Sequence, residues 1–99
     1  MAQKFVINNH RLIIGNVLSH TELVRNLIDY ETIGGGMWYR DHSTNIVYFY
    51  GRSNTYGAVT EEEFNHSQKP NWLKNFKIIF SAANDITDHI SREVRNNFH

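Results

Sequence analysis

Gly34-Gly35-Gly36-Met37-Trp38-Tyr39-Arg40-Asp41-His42-Ser43-Thr44-Asn45-Ile46-Val47-Tyr48-Phe49-Tyr50-Gly51-Arg52-Ser53-Asn54-Thr55-Tyr56-Gly57 is the stretch on which the fold turns. Two apolar runs, Met37-Trp38-Tyr39 and Ile46-Val47-Tyr48-Phe49, flank a polar segment at residues 41–45. Aromatic and β-branched residues suit a pleated, half-buried surface, so a β-hairpin is expected here. Three consecutive glycines cost backbone entropy and pack nothing. They are therefore expected outside a strand interior, where the chain bends sharply or comes close to another chain or a ligand. The loop leaving the second strand carries Ser53 and Thr55 between Gly51 and Gly57. Successive backbone N–H groups in such a loop can converge on an anion.

Upstream, Phe5-Val6-Ile7 and Leu12-Ile13-Ile14 read as short strands joined by a turn at Asn8-Asn9-His10, because Asn tolerates left-handed backbone angles. Gly15-Asn16 weakens the end of the second strand. Ser19-His20-Thr21-Glu22 has the spacing of a capping box, with Ser19 as N-cap. Leu23, Val24, Leu27 and Ile28 follow at helical spacing on one face, so a helix is predicted from His20 to about Tyr30. Downstream, Thr60-Glu61-Glu62-Glu63 is a second capping box, starting a short helix at Glu61 that Pro70 must end. Phe76-Lys77-Ile78-Ile79-Phe80 reads as a late strand. Asn84-Asp85 can cap a final helix, along which Ile86, Ile90, Val94 and Phe98 form a narrow apolar stripe. The order β-β-α-β-β-α-β-α favours an α+β domain: one mixed, largely antiparallel sheet flanked by helices.

Ninety-nine residues make a single domain, 1–99, with 85 residues of core and an added helix at 86–99. Ten basic residues balance ten acidic ones, which speaks against nucleic acid or an anionic membrane as partner. The absence of cysteine excludes disulfide and thiolate chemistry. The N-terminus shows no signal-peptide pattern and no apolar run approaches the ~20 residues of a membrane span, so a cytoplasmic protein is expected. The C-terminal stripe can lie on the sheet or meet a second copy, giving a monomer or a weak homodimer.

The central stretch resembles the phosphohistidine phosphatase (janus/ocnus) family. That family carries Gly-Gly-Gly, thirteen residues, then Tyr-Gly-x-Ser-x-x-Tyr-Gly. Here the triple glycine is followed by the thirteen residues Met37 to Phe49 and then by Tyr50-Gly51-Arg52-Ser53-Asn54-Thr55-Tyr56-Gly57. Lys4-Phe5-Val6-Ile7 resembles the family's first strand, and Ala83-Asn84-Asp85 the segment that closes its last. The resemblance implies a mixed sheet flanked by helices. It also implies a catalytic histidine at His20, a strand-one lysine at Lys4 and a phosphate-binding loop at Ser53, Asn54 and Thr55. The turn between strands one and two and the segment from His20 to Gly34 are shorter than in the family. Two arginines of the well-studied members correspond to Met37 and Ile14 here, while Arg52 supplies one charge inside the loop.

What the resemblance implies is a small, metal-independent phosphatase without cofactor, acting on a phosphorylated protein or a small phosphoramidate. Phosphoryl transfer needs positioning and charge stabilisation, and a neutral imidazole can attack phosphorus or activate water. His20 at a helix N-terminus would be kept neutral by the helix dipole. The alternative is a non-catalytic phosphate-binding or protein-interaction module that keeps the loop without turnover. Taken alone, each residue has a plainer structural reading: His20 a surface residue or local cap, Lys4 a solvated edge-strand lysine, Ser53 and Thr55 turn formers. Trp38, Tyr48 and Tyr50 read as sheet packing, and His10, His42, His66, His89 and His99 as solvent-exposed.

Overall fold

Asn9 and His10 both take left-handed backbone angles, φ 49° and 63°, and this makes the first hairpin. In the computed structural model, which describes residues 2–81, they join β1 (Ala2–Asn8) to β2 (Arg11–Val17) in an antiparallel ladder from Ala2↔Val17 to Asn8↔Arg11. Asn8 belongs to the strand. Its buried amide nitrogen donates to Ile28 O and Thr32 Oγ1, both at 2.9 Å. Gly15 and Asn16 do not end β2, which runs on through Val17.

The triple glycine lies inside β3 (Thr32–Asp41), contrary to the expectation from entropy and packing. The reason is close approach between strands. A Cβ on Gly35 would stand 2.4 Å from Phe5 O, and one on Gly36 would stand 2.3 Å from Tyr50 O. The approaching chain is the protein's own neighbouring backbone, so any side chain there would push β1 or β4 away. β4 (Ile46–Tyr50) pairs antiparallel with β3 from Met37↔Tyr50 to Asp41↔Ile46. Asp41 Oδ1 accepts from the Ser43 N–H at 2.9 Å and hydroxyl at 2.7 Å, setting the turn between them.

Thr60 caps α1 (Glu61–His66) as its sequence predicts: Thr60 Oγ1 accepts the Glu63 N–H at 3.1 Å, and Glu63 Oε1 accepts the Thr60 N–H at 2.8 Å. A 3-10 turn, Asn71–Asn75, follows Pro70 and leads into β5 (Lys77–Phe80), with Phe76 left outside the strand. β5 runs parallel to β4. The five strands form one mixed sheet in the order β2-β1-β3-β4-β5, antiparallel in every pair but the last, and the class is α+β.

The helix expected from His20 to Tyr30 does not form. Its place is taken by two 3-10 turns, His20–Val24 and Asp29–Glu31. His20 and Val24 are buried, but Leu27 and Ile28, which would have continued the apolar face, are 45% and 49% exposed. Ser19 makes no cap bond to the turn: its hydroxyl pairs with Thr21 Oγ1 at 2.7 Å, and Glu22 Oε2 accepts from Leu18 N–H at 3.2 Å.

The two faces of the sheet are dressed differently. Phe5, Ile7, Leu12, Val47 and Phe49 pack with Phe64 of α1 and Leu73 of the third 3-10 turn, and Trp38 leans on this core. Phe64 stacks on Phe80 with ring centroids 4.6 Å apart. The opposite face carries the His20–Val24 turn against β1 and β2. Tyr48 is buried as sheet packing, and His10, His42 and His66 are exposed, as expected. The Ala83-Asn84-Asp85 match, the C-terminal apolar stripe, His89 and His99 lie outside the described residues. Among the described residues no helix is long and apolar enough to cross a membrane.

Candidate functional site

Side chains alternate along β1, so Phe5 points into the core and Lys4 points to the other face. Lys4 pairs with Gly15 on one side and Met37 on the other. It is therefore on an inner strand, not the edge strand of the plainer reading, and it is half-buried. The same alternation puts Ile14, opposite Phe5, on the core face. A side chain at position 14 therefore lies on the face opposite to Lys4.

His20 enters from the 3-10 turn above this face and is 8% exposed, which overturns its reading as a surface residue. Nε2 lies 2.7 Å from Gly36 O. A carbonyl oxygen only accepts, so Nε2 carries the proton and, in the neutral ring, Nδ1 keeps its lone pair. The β3–β4 ladder stops at Met37↔Tyr50, one residue short of Gly36. The ring also needs Gly35 to be bare, since a Cβ there would come 3.2 Å from His20 Cδ2. The His20 pKa is lowered from 6.5, chiefly by burial; the bond to Gly36 opposes this and the Lys4 charge adds to it. The helix dipole invoked from the sequence plays no part, because the turn is five residues of 3-10 helix.

The loop at residues 51–57 leaves β4 where the ladder ends. It is closed on itself by Ser53 N–H to Gly57 O at 3.1 Å and Gly57 N–H to Ser53 O at 2.8 Å, and it is tied to β3 by Gly35 N–H to Gly57 O at 2.9 Å. Ser53 is fully buried, and its Oγ accepts the N–H groups of Thr55 and Tyr56 at 3.2 and 3.0 Å. This corrects the sequence reading of the loop in two respects. Ser53 shapes the loop from beneath instead of facing a ligand, and two of the N–H groups expected to meet an anion are used internally. Among the described residues Asn54 N–H has no internal partner. Tyr56 OH donates to Asp29 Oδ1, fastening the loop to the second 3-10 turn. Burial, with this bond and the Asp29 charge, pushes the Tyr56 pKa up to about 12.

Lys4, Leu18, Ser19, His20, Met37, Arg52, Asn54 and Thr55 line one depression of about 350 Å³. Residues far apart in sequence thus meet around one depression, and Ser53 is not among its lining. The lining carries the basic side chains of Lys4 and Arg52 and no carboxylate. Met37 stands in the wall, and Arg52 is exposed at the loop. Leu18 had no role in the sequence reading of this site. No group of three His, Cys, Asp or Glu side chains among the described residues could hold a metal ion.

Compared with family models, with curated proteins and with solved structures, the chain finds no match in any of the three.

Proposed function

We propose that this protein is a small phosphatase acting on phosphorus–nitrogen bonds, of the phosphohistidine type, with a fold like that family's and with His20 as nucleophile or general base. The observation that carries the reading is the His20 ring. It is buried, its Nε2–H is committed to Gly36 O, and the ring lines a depression that also holds Lys4 and Arg52. A neutral imidazole with one nitrogen fixed as donor has the other free to react. As nucleophile, Nδ1 adds to phosphorus as the P–N bond breaks and the leaving nitrogen takes a proton from solvent; water then attacks the phosphorylated ring, phosphate departs and the ring is neutral again. As general base, Nδ1 takes a proton from water while the oxygen adds to phosphorus; the leaving nitrogen takes a proton from solvent as the bond breaks, and the ring returns its own to solvent. Lys4 and Arg52 stabilise the equatorial oxygens electrostatically. Asn54 N–H adds a donor to the same oxygens.

A second reading, a phosphate-binding or protein-interaction module without turnover, draws on Met37 in the wall and on the Thr55 and Tyr56 N–H groups already held by Ser53. Both leave fewer donors for a transition state. Phosphate release from phosphoramidate and from a phosphohistidine peptide, with a chelator present, separates the two. Turnover that His20→Ala lowers at least about 100-fold supports the phosphatase. No release by the parent protein, with phosphate still bound, supports the module.

A further inference from the structure

The lining of the His20 depression is of two kinds. Lys4 and Arg52 suit a phosphoryl group, but Leu18 and Met37 offer it nothing. Leu18 is 72% exposed, more than any other leucine or isoleucine of the described residues. A single exposed leucine needs no explanation by itself. This one lines the same depression as a second apolar residue, Met37, at a charged site, and its backbone is held. Its neighbour Val17 is paired to Ala2, and its own N–H is bound to Glu22 Oε2 at 3.2 Å. Met37 is fixed in β3 between Lys4 and Tyr50. A small phosphoramidate has no apolar part to cover these side chains. A peptide whose phosphorylated residue is anchored by the two cations would lay its neighbouring side chain at the margin of the depression, and an apolar neighbour would remove Leu18 and Met37 from water.

We propose that Leu18 and Met37 form an apolar lip that selects phosphorylated residues flanked by apolar side chains in a peptide chain. The proposal rests on the phosphatase reading for its substrate, and its test is built to separate the two. Two peptides of otherwise common sequence would carry leucine or serine on both sides of the phosphorylated residue. Each is made with phosphohistidine for turnover and with a non-hydrolysable phosphonate analogue for binding by fluorescence anisotropy. The leucine-flanked analogue is expected to bind about tenfold tighter, and Leu18→Ser to bring the two affinities within about twofold of each other. Circular dichroism on Leu18→Ser checks that the fold is kept. Equal affinities in the parent protein, or a preference that survives Leu18→Ser, would overturn the lip. A preference in binding without turnover supports the lip and overturns the phosphatase. Turnover of both peptides without preference does the reverse. Failure to bind either analogue would overturn both.

Discussion

Ser19-His20-Thr21-Glu22 and Thr60-Glu61-Glu62-Glu63 carry the same capping-box spacing, and they fold differently. The second closes both reciprocal bonds and starts an α-helix. In the first, Glu22 reaches back one residue further, to Leu18 N–H, Ser19 turns to Thr21, and the chain makes a 3-10 turn. The difference lies in what each segment packs against. After Thr60 the only demand is that Phe64 reach the core, which any first turn of helix can meet. After Ser19 the chain must deliver the His20 ring to Gly36 O while Leu23 lies over the bare Gly15. A tertiary contact to a polar side chain thus overrides a local helix signal worth about 1 kcal/mol. Such conflicts between levels are expected at functional sites.

The comparison breaks most readily at Gly36. Gly36→Ala would put a methyl group against Tyr50 O and the Phe5 ring, shifting the strand that holds His20. A loss of about 3 kcal/mol in denaturant unfolding is expected, and on the proposed phosphatase reading turnover is lost alongside. His20→Ala comes next. It leaves Gly36 O without its side-chain donor and empties a buried site, so a loss of about 1–2 kcal/mol is expected beside the loss of turnover. A histidine at the surface would have cost nothing, and an unchanged midpoint would show that the ring is not held as described.

The two caps themselves give smaller effects of unequal size. Thr60→Ala should cost about 1 kcal/mol, because both bonds of a real cap are lost. Ser19→Ala should cost less than about 0.5 kcal/mol, since no cap bond exists to remove. Equal losses in thermal melts would mean that the first box closes in solution. The smallest effect is on pH. His20 titrates below 6.5 in the folded protein, so between that lowered value and 6.5 the unfolded chain binds more protons. Stability should therefore be full above pH 6.5 and fall as the pH drops through this window, and His20→Ala should flatten that part of the profile. On the proposed phosphatase reading, the acid limb of kcat/KM should likewise lie below 6.5.

The parts of the fold that local rules govern were legible in the sequence. The Asn9-His10 turn, the central hairpin, the Thr60 cap and the late strand each follow from residues adjacent in the chain. The triple glycine misled because its reason lies in Phe5 O and Tyr50 O, which reach it only once three strands have assembled. No spacing encodes the meeting of Lys4 and His20 with Arg52, Asn54 and Thr55, because the segments that carry them come together only in the assembled sheet. Ser53 Oγ bending back to Thr55 and Tyr56 is a loop geometry that the residue types permit without requiring. The register that sends Ile14 to the core was readable in principle, because alternation from Phe5 across a two-residue turn fixes it.

The central claim is that His20 holds a neutral ring with Nε2–H on Gly36 O and a reactive Nδ1 in the Lys4–Arg52 depression. Long-range 15N–1H NMR of the ring, taken at pH 7 and titrated with inorganic phosphate, measures it directly. The expected result is a protonated Nε2, an Nδ1 at the shift of a bare lone pair, and a change at Nδ1 as phosphate binds. A proton on Nδ1 at pH 7, or a ring indifferent to phosphate, would contradict it.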